Sequence, residues 1–252
     1  VDAEQIFVLT TGNCKNVYRE EKCVYKYQCV DQILSEILET YFERTKENVM
    51  KSVKKEFVKI IAIYSPIHRV GKTSFAIAFG KELAKFKKVL YLNMEEYFGY
   101  GEMFEQIDNG NLGDALYYTK QENSNFGLRL RMLVRTIDEL DYIPPMPVSL
   151  DLKEVLWEEW KVLFKQIVED SVYEVILLDI GESVQGLLKM LDLCDRIYMP
   201  VLEDDVSQEK MRQYEENLQK LQLERLMEKT YMFIGLQDIE NKMRQLVKEE
   251  VL

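Results

Sequence analysis

A strand pattern that runs into a Gly-Lys-Thr turn and then into an amphipathic helix constrains this chain more than any other stretch. Residues 57–64 read FVKIIAIY, with the apolar and β-branched content of a strand covered on both faces. The loop Ser65-Pro66-Ile67-His68-Arg69-Val70-Gly71-Lys72-Thr73-Ser74 follows. Over residues 73–85, Phe75, Ala76, Phe79, Leu83 and Ala84 recur at helical spacing, and residues 88–92 (KVLYL) supply another strand. A strand, loop, helix and strand of this length predict a βαβ crossover and a parallel sheet. The start of such a helix suits an oxyanion, because its free N–H groups and dipole favour negative charge. Lys72 adds a point charge and the Thr73 hydroxyl can ligate Mg²⁺. The plainer reading of these residues is an ordinary βα turn with an exposed lysine. The loop departs from GxxxxGK[ST], since Pro66 stands at the first glycine and has no N–H to donate.

Further strands are expected at residues 172–179 (VYEVILLD), 196–201 (RIYMPV) and 230–234 (TYMFI), with helices over 152–169, 183–193 and 207–227 between them. Trp157 and Trp160, three apart on a helix, suit packing better than ligand stacking. Met211, Tyr214, Leu218 and Leu221 form the apolar stripe of a surface helix. A last helix over 237–252 carries Ile239, Met243, Leu246 and Val247 in phase. Its Lys242, Arg244 and Lys248 are offset by Glu240, Glu249 and Glu250, which weakens attraction to anionic lipid. A core-packed or exposed helix is expected there, with membrane contact only weak or indirect.

Composition removes other classes. Four cysteines without a CxxC pair, and one histidine, His68, disfavour zinc sites and hydrolase triads; reduced thiols are expected. The net charge is −11 over 252 residues, while residues 1–60 balance at 10 basic and 10 acidic side chains. The excess acid therefore lies in the larger part and disfavours nonspecific DNA binding, which requires Lys and Arg to neutralise phosphates. No apolar stretch approaches a membrane span and no signal peptide is visible.

The first residues read strand, loop, strand, helix: 5–10 (QIFVLT), 22–28 (KCVYKYQ), then 30–42 with Ile33, Leu34, Ile37, Leu38, Tyr41 and Phe42 in helical phase. Residues 46–56 read as a linker or exposed helix. Three units are expected: an N-terminal segment 1–45, that linker, and an α/β domain 57–252. Residues 1–45 resemble the end of a response-regulator receiver domain, whose phosphoacceptor aspartate would lie upstream of Val1. A small extension packed on the main domain is the other reading.

Residues 57–236 resemble the MinD/ParA family of ATPases, whose deviant Walker A loop reads xKGGxGK[ST]. Aligned on Gly71-Lys72-Thr73, Val70 takes the variable position, His68 and Arg69 stand at the two family glycines, and Ile67 replaces the lysine that reaches a dimer partner's phosphates. Asn93-Met94-Glu95 resembles the first switch, D-x-D, with Glu95 at the residue that helps position the attacking water. Asp179-Ile180-Gly181 resembles the second switch, with Asp179 as the acid that holds Mg²⁺ through water. Cys194-Asp195 to Pro200 resembles the next family strand, whereas the adenine-contacting asparagine has no match near Gly235-Leu236. A receiver-like segment before an imperfect ATPase, together with the tract Asp141-Tyr142-Ile143-Pro144-Pro145, is similar to TadZ/CpaE proteins, which localise pilus machinery in bacteria.

The resemblance implies a mostly parallel sheet with helices on both faces. It implies ATP and Mg²⁺ as ligands, with His68, Arg69, Val70, Gly71, Lys72, Thr73 and Ser74 binding nucleotide. Thr73 and Asp179 would hold the metal, and Lys72, Glu95 and Asp179 would carry any catalysis. It also implies a homodimer, a cytoplasmic protein recruited to a polar or membrane-associated complex, and partners in pilus or secretion machinery. Ile67 and Pro66 point to slow or absent hydrolysis. A non-catalytic interaction module with a relic loop, or a small-molecule P-loop kinase, are the alternatives.

Overall fold

The computed structural model describes residues 6–12, 21–28, 33, 36–37, 57–99, 110–121, 126–234 and 239–251. The chain divides into two units, Val1–Lys55 and Glu56–Leu252. In the first, β1 (Ile6–Thr10) and β2 (Glu21–Tyr25) pair in parallel, from Ile6 opposite Glu21 to Thr10 opposite Tyr25. Cys23 on β2 is disulfide-bonded, and its partner lies outside the described residues. This corrects the expectation of reduced thiols. CxxC spacing detects neighbours in sequence and is blind to cysteines that folding brings together. Cys194 is a free, buried thiol, and burial pushes its pKa up to about 12. Of the helix expected over 30–42, only residues 33, 36 and 37 are described, and they are helical. The linker 46–56 lies outside the described residues.

In the second unit the apolar runs become central strands, because strands buried on both faces need no polar alternation. These are β3 (Lys59–Ile63), β4 (Val89–Met94) and β7 (Val175–Ile180). The seven-stranded sheet has the order β5-β6-β4-β7-β3-β8-β9, with β5 (Arg135–Ile137), β6 (Leu140–Ile143), β8 (Arg196–Val201) and β9 (Thr230–Ile234). All neighbours are parallel except the edge pair β5–β6. The expected α/β class, a mostly parallel sheet covered on both faces, is what forms. Asp195 ties β3 to β8, its Oδ2 accepting from the Ile60 N–H at 2.8 Å.

Successive strand residues face opposite layers. Ile60, Ala62, Leu90, Leu92, Ile176 and Leu178 join one core with α2 (Leu112–Thr119), α3 (Phe126–Leu133), α4 (Ser149–Glu154), α5 (Trp157–Asp170), α6 (Leu187–Leu193) and α7 (Asp205–Lys220). Ile61, Ile63, Val89, Tyr91 and Leu177 join the other, with α1 (Lys72–Ala84) and, beyond the short α8 (Arg225–Glu228), α9 (Ile239–Val251). Gly80 brings α1 close: a Cβ there would lie 2.9 Å from Leu140 Cδ2.

Three expected helices are shorter than their periodicity. Residues 152–169 split where Val155 and Leu156 turn extended, and Glu159 caps the new start by accepting from the Leu156 N–H at 2.8 Å. The segment 183–193 becomes helical only at Leu187, after Gly186 at φ 75°. Residues 207–227 break near Gln222, at φ 56°, and Leu221 is exposed. A left-handed residue halts helical hydrogen bonding whatever the apolar phase.

Helix α9 is core-packed. Met243, Leu246 and Val247 are buried on the α1 side, and Glu250 continues the same face. The Glu250 side chain is fully buried, accepts from the Tyr198 hydroxyl at 2.6 Å, pairs with Lys59, and has Arg196 Nε at 3.7 Å. A buried carboxylate costs several kcal/mol unless cations and donors surround it. Glu250→Ala is expected to leave Lys59 and Arg196 facing an apolar hole and to lower unfolding free energy by about 1–3 kcal/mol, measured in urea. An unchanged midpoint would show that the cluster contributes nothing.

Candidate functional site

The candidate site lies beyond the C-terminal ends of β3, β4 and β7. Parallel strands deliver their outgoing loops to one edge, and a crevice forms where their connections diverge. Ile63 and Asn93 both pair in register with Asp179, so the three strand ends are level.

The loop after β3 is anchored from below. Ile67 and Val70 are 3% and 4% exposed, within the core, and Ser65 Oγ accepts from the Ile67 N–H at 3.1 Å. His68 and Arg69 are exposed at the tip, with His68 Nε2 3.3 Å from Glu182 Oε2. Arg69 adopts φ 60° and Gly71 φ 79°. Left-handed residues at alternate positions are the backbone device that gathers N–H groups into an anion nest. At Arg69 the Cβ makes that conformation cost about 1–2 kcal/mol. The burial of Ile67 is decisive for its part: a side chain committed to the core cannot reach a phosphate.

Lys72 opens α1 and is only 8% exposed. Its ammonium lies 2.8 Å from Glu95 Oε1, donates to the Ile180 carbonyl at 3.3 Å, and stands 5.8 Å from the centre of the Tyr64 ring. One cation thus joins the loops after β3, β4 and β7. Gly181 fits because it lacks a side chain. Its N–H donates to the Met94 carbonyl at 3.2 Å, and a Cβ would lie 2.9 Å from that oxygen. The residue serves close approach here.

Asp179 is fully buried. Its Oδ2 accepts from the Tyr91 hydroxyl at 3.0 Å and the Thr73 side chain also hydrogen-bonds the carboxyl, while Oδ1 has no partner in hydrogen-bond geometry among the described residues. Burial pushes its pKa up to about 7 and the Glu95 charge adds to this; the nearby Thr73 hydroxyl, Lys72 and Tyr91 oppose it. Asn93, 1% exposed, donates from Nδ2 to the Tyr91 oxygen at 2.9 Å and accepts from the Glu95 N–H at 3.0 Å.

Lys72, Thr73, Glu95 and Asp179 are therefore together, His68 and Arg69 stand at the rim, and Ser74 is exposed on the first turn of α1. Val70 turns its side chain away into the core. Tyr91 escaped the sequence reading, although two-residue alternation along β4 places it on the face of Asn93. Glu182 carried no signal of its own. Among the described residues no three His, Cys, Asp or Glu gather as a metal cage. One orphaned carboxylate oxygen beside a threonine hydroxyl suits a hard cation that brings its remaining ligands, as Mg²⁺ does with phosphate.

Asp179 sets a pH test. Its ordinary pKa is 3.8, so between there and about 7 the folded chain holds a proton that the unfolded chain releases. Stability must then fall as pH rises through that window. Asp179→Asn is expected to flatten the slope and raise unfolding free energy at pH 8 by about 1–3 kcal/mol. A variant less stable than wild type at pH 8 would contradict this.

No protein-family model matches the sequence, and no curated protein matches it. Solved structures do. A ParA-family ATPase from Chlorobium tepidum is 15% identical with a TM-score of 0.57, covering 75% of this chain and 81% of that one. A putative plasmid partition protein from Borrelia burgdorferi, bound to AMPPNP, is 22% identical with a TM-score of 0.54, covering 71% and 75%. A chain of the Aquifex aeolicus MinC:MinD cell division protein complex is 17% identical with a TM-score of 0.50, covering 70% and 68%. The second unit is thus an α/β domain of the P-loop class. Its fold is that of the ParA/MinD ATPases.

Proposed function

We propose that this chain is a nucleotide-binding protein of the ParA/MinD kind that acts as a positional scaffold, with slow or absent ATP hydrolysis. The observation that carries this reading is the convergence of Lys72, Thr73 and the orphaned oxygen of Asp179 at one end of the sheet. Lys72 would take the phosphate charge, and the N–H groups of the loop and α1 would bind phosphate oxygens. Thr73 and Asp179 would hold Mg²⁺, which neutralises charge on the phosphates when bound. Glu95 would orient water once Lys72 leaves it.

Slow turnover is supported by the buried Ile67 at the position of the trans-acting lysine. Homodimerisation and the TadZ/CpaE role with pilus partners rest on the resemblance. The charge of −11 supports protein partners over nonspecific DNA. Among the described residues no helix is long and apolar enough to cross a membrane. Helix α9 has its apolar face in the core, so lipid contact through it requires undocking.

The Lys72–Glu95 pair also supports the relic reading, because it neutralises the phosphate-binding charge. Calorimetry with ATP and Mg²⁺ separates the two. Lys72→Ala is expected to weaken binding at least about tenfold, through loss of a charge-assisted contact. Glu95→Gln is expected to tighten it about fivefold, because no ion pair competes for Lys72. Equal affinity of wild type and Lys72→Ala would sink the phosphate-loop reading; no binding at millimolar ATP would establish the relic.

A further inference from the structure

With Asp179 ionised, as a cation would hold it, the hydrogen bonds linking Glu95, Asn93, Tyr91 and Asp179 have only one possible direction. A backbone N–H can only donate, so the Asn93 atom facing Glu95 must be its carbonyl oxygen, 3.0 Å away. That leaves the Asn93 NH₂ toward the Tyr91 oxygen at 2.9 Å, where it too can only donate. The phenol accepts there and directs its own proton to Asp179 Oδ2 at 3.0 Å. Tyr91 and Asn93 are both 1% exposed, so water competes for neither. Burial together with the Asp179 charge pushes the Tyr91 phenol well above its ordinary value, and it stays a donor.

We propose that Tyr91 and Asn93 are positioning residues that occupy one oxygen of Asp179, keep the other aimed at a divalent cation, and couple that aim to the segment carrying Glu95. The proposal rests on the nucleotide-binding reading. It explains why an amide stands at position 93. Asn93 and Asp179 are register partners on adjacent strands in the buried interior. A carboxylate at 93 could accept from Glu95 but could not donate to Tyr91. It would compete for the phenol's one proton and set a second charge beside Asp179.

Tyr91→Phe deletes only the hydroxyl, and Asn93→Asp reverses the relay's polarity. Nucleotide binding by each full-length protein is titrated with Mg²⁺ at fixed ATP, and again in chelator. Wild type is expected to bind more tightly with Mg²⁺. Both variants are expected to need about tenfold more Mg²⁺ for half-maximal tightening, as for loss of an outer-shell partner, while metal-free affinity stays within about twofold. A merely structural role would lower the melting temperature and leave the Mg²⁺ midpoint in place, and that result overturns the proposal. A second arm needs no nucleotide: millimolar Mn²⁺ is expected to raise the melting temperature of wild type and to do so less in each variant. If one variant fails to fold, the other decides. Equal affinity of wild type and Lys72→Ala for ATP defeats the phosphate-loop reading while the Mn²⁺ arm still tests the relay. If Mn²⁺ and Mg²⁺ leave wild type unmoved, the relay serves no cation and the proposal falls.

Discussion

A carboxylate sealed inside a sheet is the constraint around which this site is built. Asp179 sits on the central strand β7 with no solvent contact, where an unpaired charge is costly. The neighbouring chemistry answers that cost. Tyr91 reaches it from β4, Thr73 and Lys72 come from the start of α1, and Glu95 limits how far Lys72 can neutralise it. The compensation is incomplete, since burial still outweighs it and Oδ1 has no hydrogen-bond partner among the described residues. A residue held this way is a poor stabiliser and a good receptor for positive charge.

Much of this was legible before folding was considered, for reasons that differ along the chain. Continuous apolar runs identify β3, β4, β7 and β8, because strands buried on both faces leave no other mark. The Gly-Lys-Thr junction placed Lys72 and Thr73 at a helix start, whereas Glu95 and Asp179 came only from the resemblance of their segments to family switches. The short edge pair β5–β6 carries too few residues for a periodic signal. Helix breaks at Leu156 and Gln222 were invisible to apolar phase, which continues through them; only backbone geometry shows the interruption. Cys23 was misread because its bonding depends on which segments meet.

Ile67 and Arg69 show how one loop can keep its course with different side chains. Ile67 replaces reach with burial and anchors the loop to the core. Arg69 accepts a left-handed backbone in which glycine is unstrained, and extends its side chain into solvent. The backbone path compatible with an anion nest is kept with these side chains.

The contact of Gly181 with the Met94 carbonyl has a mechanical meaning. With an N–H⋯O bond of 3.2 Å between them and no room for a methyl group, the segments leaving β4 and β7 are geared together. Glu182, the next residue, pairs with His68 on the phosphate loop. The loops after β3, β4 and β7 are therefore joined by direct contacts, and the shape of one bears on the other two.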